Sequence, residues 1–415
     1  MMGDPVDPAI NYENTSNAEK SVSIPVSTDT KDITGVECKH DSDTAAIPNS
    51  LMPSTVEGQP PNIPVEENLV NLIRSKKLQY QTLEVAKLNI DKFRDPNNWL
   101  NFPGVKDDEL NFDGSGILIQ NKDSELKHGW IIGDVHADLV GLACIFQYIH
   151  EQSELHKNQS LVVLLGDLID DLKENSETLS LVSEFIKTYK GCTVLLKGNH
   201  DEALVLNEVG FMSNVSPSDY SDDLQDCPPD SKKYKIANSF TQYIKDAPAA
   251  IFLRDGTLLA HGGVPHTDLH PDIIKNMNFD SPEAINDFIW ARLIPKVKKR
   301  FVVPISITRS RELGAEDFAA FLEIAGQVLD FKVNRMVRGH DHVDPRCEIY
   351  GGIWKQSVVT INNMSWRLPR EFGLPGPTDP HIIEWNSGQP LQPLKIEIDL
   401  KWRESMRVLP SELKS

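Results

Sequence analysis

Aspartate, asparagine and histidine recur in five short blocks of the sequence, each placed directly after an apolar run. In chain order the blocks are GDVH (133–136), GDLIDD (166–171), GNHD (198–201), HGG (261–263) and GHDH (339–342). A single aspartate or histidine at the end of a strand is usually a cap or a turn former. Five such blocks, most of them with a flanking glycine, instead indicate a clustered metal site.

The side-chain types in these blocks narrow the choice of metal and of reaction. They offer carboxylates, imidazoles and one carboxamide oxygen, without a thiolate. This set suits Mn, Fe or Zn better than the all-oxygen shells that Mg and Ca prefer. The blocks hold too many donors for one ion. Two ions bridged by a carboxylate and a hydroxide would use them all and would clamp the attacking and phosphoryl oxygens, so the predicted chemistry is phosphoester hydrolysis.

Strands followed by helices are predicted to position the first three blocks. The pairs are WIIGD (130–134) with LVGLACIFQYI (139–149), SLVVLLGD (160–167) with LSLVSEFIKTY (179–189), and CTVLLKGNHD (192–201) with EALVLNEVG (202–210). Each strand is a continuous apolar run, as expected when helices cover a sheet on both faces. We therefore predict an α/β layered fold, in which residues just past the carboxyl ends of the strands gather in one crevice.

Composition limits the partners and the compartment. The chain has 415 residues, 40% of them hydrophobic, and a formal net charge of −19, which argues against a nucleic-acid polymer or a membrane surface as the main partner. The five cysteines are scattered without C-x-x-C spacing, and the N-terminus lacks the pattern of a signal peptide. We expect a soluble, cytoplasmic protein. Residues 1–65 read as a disordered acidic and polar tail, and residues 66–415 as the catalytic domain.

The five blocks, in this order and at intervals of roughly 30 to 80 residues, resemble the signature of the calcineurin-like metallophosphoesterases. HGGVPH, FIWARL, MVRGH and VVTINN resemble later blocks of the phosphoprotein phosphatase (PPP) branch, the Ser/Thr protein phosphatases. The similarity covers about residues 128–365. It implies the metallophosphoesterase fold, in which central β-sheets form a sandwich flanked by helices.

The resemblance also implies a set of metal ligands. In this sequence they are Asp134 and His136 for the first metal, Asp167 as the bridge, and Asn199, His261 and His340 for the second. In many metallophosphoesterases the second histidine of the G-H-x-H block reaches the first metal, which makes His342 a candidate there. The cofactors implied are two divalent ions, with Mn expected and Fe or Zn as alternatives.

The same resemblance assigns the proton donor. His200 and Asp170 match the family pair in which the histidine protonates the leaving oxygen and the aspartate orients the ring. An alkoxide leaving group needs a proton in the transition state, and an imidazole held by a carboxylate stays protonated near neutral pH. No covalent phosphoenzyme is required, because a hydroxide that bridges two cations is already a strong nucleophile at neutral pH.

Two positions depart from the protein-phosphatase pattern. Asp171 stands where those enzymes have a phosphate-gripping arginine (G-D-x-V-D-R-G), and Arg292 stands where they have the aspartate of L-W-S-D-P. One hypothesis is that acid and base have exchanged places, so that Arg292 binds the substrate phosphate and pairs with Asp171. The alternative is that Asp171 faces solvent and that Arg292 is a surface charge of a helix.

Three classes of function follow. The first is hydrolysis of phosphomonoesters, with a phosphorylated protein or a small phosphoester as substrate. The second is hydrolysis of nucleotides or dinucleoside polyphosphates, which the loss of the arginine favours. The third is a non-catalytic, metal-binding interaction protein, which the full set of ligands argues against. A long polar segment, residues 213–233, either roofs the cleft or is a disordered spacer.

Overall fold

The computed structural model describes residues 110–112, 116–155, 160–188, 192–267, 282–298, 311–355, 357–368 and 376–398. The predicted tail at residues 1–65 lies outside these ranges, and the division of the chain at residue 65 stays a prediction. Among the described residues, no helix combines the length and the apolar content needed to cross a bilayer.

A five-stranded sheet carries the first three blocks. Its parallel strands are β3 (His128–Ile132), β4 (Ser160–Leu164) and β5 (Cys192–Leu195). The antiparallel strands β17 (His381–Asn386) and β18 (Gln392–Lys395) complete it in the order β18-β17-β3-β4-β5. Every residue of β3 and β4 is buried, which explains why their sequences are continuous apolar runs rather than alternating ones.

A seven-stranded sheet carries the last two blocks. Its strands are β1 (Leu110–Phe112), β2 (Ile117–Gln120), β8 (Ala250–Phe252), β9 (Thr257–Ala260), β12 (Arg335–Arg338), β13 (Cys347–Ile349) and β14 (Val358–Ile361). They pair in the order β1-β2-β8-β9-β12-β14-β13, with β12 parallel to both β9 and β14. The short strand pairs are β6 (Val205–Asn207) with β7 (Gly210–Met212), β10 (Arg292–Leu293) with β11 (Glu312–Leu313), and β15 (Trp366–Arg367) with β16 (Gly376–Pro377).

The two large sheets face each other, and helices cover their outer faces. The helices are α1 (Leu139–Leu155), α2 (Asn175–Thr188), α3 (Asn199–Ala203), α4 (Asp219–Leu224), α5 (Lys232–Asp246), α6 (Pro282–Trp290) and α7 (Ala315–Leu329), with a 3₁₀ turn at Gly352–Trp354. Apolar side chains from both sheets form one buried core between them, while α1, α2 and α5 cover the five-stranded sheet and α6 and α7 cover the other. The predicted layered α/β fold is confirmed.

The third predicted helix is wrong. Only the end of α3 falls within residues 202–210, and the chain then forms the hairpin β6–β7 instead of a helix. Val209 donates its backbone N–H to Asn207 Oδ1 at 2.9 Å, and Gly210 adopts a φ of +123°, a conformation that favours glycine. The apolar residues of this stretch had suggested a helix, but the turn chemistry of Asn207 to Gly210 decides the structure.

Candidate metal centre

All five blocks meet where the two sheets end side by side. The strands β3, β4 and β5 end two to four residues before Asp134, Asp167 and Asn199, and β9 and β12 end just before His261 and His340. The carboxyl ends of parallel strands share one edge, so the side chains that follow them come together. A bridge in parallel register between Asp134 and residue 362, just past β14, joins the ends of the two sheets.

One donor group consists of Asp134, His136 and His342, whose ligand atoms all lie within 4.8 Å of one another. His342 Nε2 lies 2.9 Å from His136 Nε2 and 3.5 Å from Asp134 Oδ2. Asp134 and His136 are fully buried, whereas the His342 side chain is 14% exposed. This is the group that the sequence assigned to the first metal, with His342 as its candidate member.

A second donor group consists of Asp167, Asn199, His261 and His340. His261 Nε2 lies 3.3 Å from Asp167 Oδ2 and 2.9 Å from Asn199 Oδ1, and His340 Nδ1 lies 2.7 Å from the same Asn199 oxygen. The same carboxylate oxygen of Asp167 is also 3.6 Å from His136 Nε2 of the first group. Asp167 therefore lies between the two groups, at the place that a bridging ligand would take.

The distances between donor atoms fit divalent metal ions. Donors that each lie about 2.0 to 2.2 Å from one ion are about 3 Å apart in octahedral and about 3.5 Å apart in tetrahedral geometry. Five of the donor separations within the two groups are 2.7 to 3.5 Å. Burial also lowers the pKa of His136 and of His340 well below the usual range, which keeps both rings neutral, as metal ligands must be. At His261 the carboxylates of Asp167 and Asp134 outweigh burial and raise the pKa, an effect that a cation bound to those carboxylates would reverse.

The tautomer of His136 supports the same assignment. Its Nδ1 lies 3.0 Å from the carbonyl oxygen of Ile169, which can only accept a hydrogen bond. In the neutral ring Nδ1 therefore carries the proton, and Nε2 presents its lone pair toward Asp167 and His342.

The backbone of these blocks adopts an uncommon conformation. Eight non-glycine residues have a positive φ within the described part of the chain, and six of them belong to the blocks or directly follow one: His136, Ala137, Asp167, Asp170, Asp171 and His340. Each such residue costs about 1 to 2 kcal/mol relative to the right-handed region. Conformations of this kind persist where the surrounding contacts hold them, and they concentrate at functional sites.

His200 and Asp170 form a hydrogen-bonded pair beside the two donor groups. His200 Nδ1 lies 2.8 Å from Asp170 Oδ2, and the backbone N–H of His200 donates to Asp167 Oδ1, also at 2.8 Å. Burial alone would lower the pKa of His200, but the nearby carboxylates, foremost those of Asp167 and Asp170, outweigh it and raise the pKa to about 9. The imidazole is thus protonated at neutral pH, as a general acid must be.

The polar segment at residues 213–233 reaches this pair. It contains α4, and the backbone N–H of the buried Tyr220 donates to Asp170 Oδ1 at 2.9 Å. Asp170 thus uses one carboxylate oxygen for Tyr220 and the other for His200. The segment is folded against the site, which is not what a disordered spacer would do.

The two departures from the protein-phosphatase pattern have partners other than each other. Arg292 donates a hydrogen bond from Nη1 to Asp341, a carboxylate that also accepts one from the fully buried Arg338 at 2.6 Å. The Asp171 carboxylate lies 3.2 Å from His136 Nδ1 and its side chain is only 10% exposed. The exchanged ion pair is therefore not formed, and Asp171 does not face solvent. Arg292 remains at the rim of the site, with a side chain that is 44% exposed.

Asn362 is a residue of this centre that sequence reasoning missed. Its side-chain amide donates to Asp134 Oδ2 at 3.2 Å and its Oδ1 accepts from the backbone N–H of Val343 at 2.8 Å. Asn362 thus links the Asp134 carboxylate to the loop after His340. The signal was present, because Asn362 directly follows the apolar strand in VVTINN, as the other polar blocks follow theirs.

Comparison with known proteins places the same region in a family. The model of the calcineurin-like phosphoesterase family matches residues 129–344, which are 216 of the 415 residues and include all five blocks. A probable serine/threonine-protein phosphatase of Encephalitozoon cuniculi (strain GB-M1) is 22% identical over 279 residues, covering 62% of this chain and 50% of that relative. The chain thus spans about half the length of this curated relative.

Solved structures give weaker similarities. A protein serine/threonine phosphatase from Saccharomyces cerevisiae with similarity to human phosphatase PP5 aligns with a TM-score of 0.47 at 14% identity, over 80% of this chain and 96% of that one. A cold-active protein-tyrosine phosphatase of a psychrophilic Shewanella aligns with a TM-score of 0.37 at 13% identity, over 69% and 85%. The family match, which contains every predicted ligand, confirms the resemblance seen in the sequence: the chain belongs to the calcineurin-like phosphoesterase family.

Proposed function

We propose that this protein is a metal-dependent phosphomonoesterase of the Ser/Thr protein phosphatase type, with a dinuclear metal centre. One observation carries the proposal. Two groups of metal-binding side chains lie side by side, with Asp167 of the second group 3.6 Å from His136 of the first, and a protonated His200 held by Asp170 stands directly beside them. This is the arrangement that in-line displacement at phosphorus requires, because it combines sites for two cations with a proton donor.

The two groups divide the ligands as the distances suggest. Asp134, His136 and His342 would hold one ion, Asn199, His261 and His340 the other, and Asp167 would bridge them. Two cations held by these residues would lower the pKa of water at the site and polarise the phosphoryl oxygens. We expect Mn, with Fe or Zn as alternatives, because the donors are imidazoles, carboxylates and a single carboxamide.

His200 would supply the proton for the leaving oxygen. Asp170 accepts from Nδ1 of the imidazolium and fixes its ring, so the other N–H, on Nε2, is the one to be given up. Asp170 is itself held by the backbone of Tyr220 and by a hydrogen bond from its own N–H to Asn175 Oδ1 at 2.8 Å. The acid is thus oriented through two successive layers of hydrogen bonds.

Arg292 is the proposed contact to the substrate phosphate. Its guanidinium is close enough to His340 to contribute to the lowered pKa of that histidine, which places a positive charge beside the second donor group. A guanidinium has five N–H donors in a planar fork, and the hydrogen bond to Asp341 uses Nη1. We infer that Asp341, anchored by the buried Arg338, holds this guanidinium at the rim where a phosphate dianion would arrive.

Phosphoserine and phosphothreonine proteins are the proposed substrates. The resemblance of the late blocks to the PPP branch supports this class, and so does the name of the E. cuniculi relative. The second candidate is a nucleotide or dinucleoside polyphosphate, favoured by Asp171 at the position of the phosphate-gripping arginine. A cytoplasmic location stays a prediction from the cysteine pattern.

The experiment loads the metal-stripped full-length protein with Mn, Fe or Zn and counts the ions bound per chain. Hydrolysis of para-nitrophenyl phosphate, of phosphoserine and phosphothreonine peptides, and of a nucleotide panel is then measured with and without chelator. The matched variants are Asp167→Ala, which removes the shared ligand, and Asp123→Ala, which removes an exposed acid in the turn before β3.

Two bound ions and metal-dependent turnover of phosphopeptides, lost in Asp167→Ala and kept in Asp123→Ala, would support the proposal. Turnover of nucleotides alone would favour the second candidate. Two bound ions without turnover of any substrate would identify a metal-binding interaction protein instead.

A further inference from the structure

Asp171 occupies an unusual position for a carboxylate. Its side chain is only 10% exposed, and its Oδ2 lies 3.2 Å from Nδ1 of His136, whose own side chain is 1% exposed. Burying a carboxylate is costly unless hydrogen bonds compensate for the lost water. Nδ1 of His136 lies within ion-pair distance of this carboxylate, on the ring edge opposite the one that faces the other metal-binding side chains.

A short stretch of backbone aims two successive carboxylates at two histidines. Asp170 and Asp171 have φ values of +70° and +64°, both left-handed. Asp170 contacts His200 Nδ1 and Asp171 contacts His136 Nδ1, and the two imidazole rings lie edge to face with their centres 5.0 Å apart. Adjacent residues thus orient the candidate proton donor and a candidate metal ligand.

Two oxygens lie close to His136 Nδ1: the Ile169 carbonyl accepts its hydrogen bond, and the Asp171 carboxylate lies within ion-pair distance. The Ile169 carbonyl at 3.0 Å is neutral, whereas Asp171 can bring a full negative charge. A carboxylate behind a ligating imidazole fixes its tautomer and orientation and makes the opposite nitrogen a better donor to a cation. The charge of Asp171 also attracts the ring N–H, so the ion pair adds to the restraint that the Ile169 hydrogen bond provides.

We propose that Asp171 is a positioning residue for the first metal: its carboxylate pairs with the Nδ1 edge of His136, beside the hydrogen bond to the Ile169 carbonyl, and holds Nε2 toward Asp134 and His342. The inference rests on the proposed function, because it presupposes a metal in that group. Asp171 would thus orient a metal ligand rather than contact the substrate phosphate. This role also explains why an acid can stand where protein phosphatases keep an arginine for phosphate.

The test measures Mn²⁺ binding alone, without substrate, on the chelator-stripped full-length protein by isothermal titration. The variants are Asp171→Ala, the near-isosteric Asp171→Asn, and Asp171→Arg, which restores the arginine of the protein phosphatases. Asp123→Ala is the matched control. Circular dichroism in chelator checks that each variant is folded, and inhibition by inorganic phosphate reports anion binding.

Removing a carboxylate behind a ligating histidine typically weakens metal binding about 10- to 100-fold. We expect a loss of that size at one of the two Mn²⁺ sites in Asp171→Ala, and a smaller loss in Asp171→Asn, because its amide oxygen keeps a partial negative charge beside the ring N–H. The second site should stay within about threefold of the wild-type value. Asp171→Arg should lose the first site as well, since a guanidinium cannot accept the N–H and repels a cation.

Two results would overturn the inference. Wild-type Mn²⁺ affinity at both sites in the folded Asn and Ala variants would show that Asp171 does not position the ligand. Tighter inhibition by phosphate in Asp171→Arg, with both metals retained, would show that the position serves the phosphate instead. A wild-type protein that binds no Mn²⁺, Fe²⁺ or Zn²⁺ would refute the metal centre itself, which is a separate failure of the proposed function.

Discussion

Replacing His200 with asparagine isolates the proton transfer from the rest of the site. The change removes the Nε2–H that would protonate the leaving oxygen, together with the ring contact to Asp170. The backbone N–H of His200, which donates to Asp167 Oδ1 at 2.8 Å, is kept. Both donor groups therefore remain intact, and a loss of activity reports on the acid.

The size of the effect follows from the pKa of His200. Because the nearby carboxylates raise the pKa to about 9, the imidazole carries the acidic proton at pH 7. General acid catalysis contributes about 10²- to 10⁴-fold, or about 3 to 5 kcal/mol of the barrier. The loss should appear in full for a phosphoserine peptide, whose leaving alkoxide needs the proton. It should be below about tenfold for para-nitrophenyl phosphate, whose leaving phenolate is stable as an anion.

The raised pKa of His200 predicts how turnover changes with pH. Because the pKa is raised, the acid is present at low and neutral pH, and turnover of alkyl phosphates should fall about tenfold per unit once the pH exceeds the pKa. Asp167 is the carboxylate that raises the pKa of His200 most, and cations bound to it would counter that effect. The falling limb should therefore lie at or below pH 9 in the metal-loaded enzyme.

The assay compares kcat/KM for the two substrates from pH 6 to pH 10 in wild type, His200→Asn and Asp123→Ala, with metal content measured for each. An equal loss for both substrates at every pH, with two metals still bound, would refute the assignment of His200 as the acid. A loss confined to the peptide that also removes the falling limb would support it.

Three further outcomes are expected. Arg292→Ala should raise KM for phosphoesters about tenfold or more with a smaller change in kcat, because a charged hydrogen bond contributes about 1.5 to 3 kcal/mol. Steady-state kinetics of wild type and variant measure both constants. Gly339→Ala should reduce Mn²⁺ binding at the first site in titrations, since a Cβ there would overlap the Asp134 carboxylate, whereas Gly351→Ala, in open space, should not. Asp255→Asn should destabilise the fold by about 2 to 4 kcal/mol at pH 7. Burial alone would raise the pKa of Asp255, but hydrogen bonds from Thr257 and Trp385 and the ion pair with Arg335 lower it. Its stabilisation is therefore present above about pH 4 and lost as the pH falls below, so denaturation curves of wild type and variant should converge in acid.

The metal-binding residues near the ends of neighbouring strands could be predicted from the sequence by one simple rule. Each block follows a buried apolar strand, and the ends of neighbouring strands lie side by side. Asp134 and Asp167 are therefore neighbours whatever the loops between them do. Residues far along the chain, such as His340, could be placed only through the family resemblance, since periodicity does not reveal which strands pair across the sandwich.

The partners of the charged side chains could not be predicted. Asp171 contacts His136 because the backbone at Asp171 is left-handed, and nothing in GDLIDD signals a positive φ at an aspartate rather than a glycine. Arg292, in β10, contacts Asp341, a residue 49 positions later in the chain, and no local pattern of the sequence signals that contact. The hairpin β6–β7 was missed for a different reason. Its turn signal is local, but its apolar residues fit a helix equally well.

The split origin of the ligands has a mechanical consequence for the whole domain. Asp134, His136, Asp167 and Asn199 follow strands of the five-stranded sheet, whereas His261, His340 and His342 follow strands of the seven-stranded sheet. Each proposed ion would thus be bound by side chains from both sheets and would link the two. An ion at 100 times its dissociation constant adds about 2.7 kcal/mol to the folded state, and here that energy would resist separation of the two sheets. Removal of the ions by a chelator should therefore weaken the contacts between the two sheets before it destabilises either sheet.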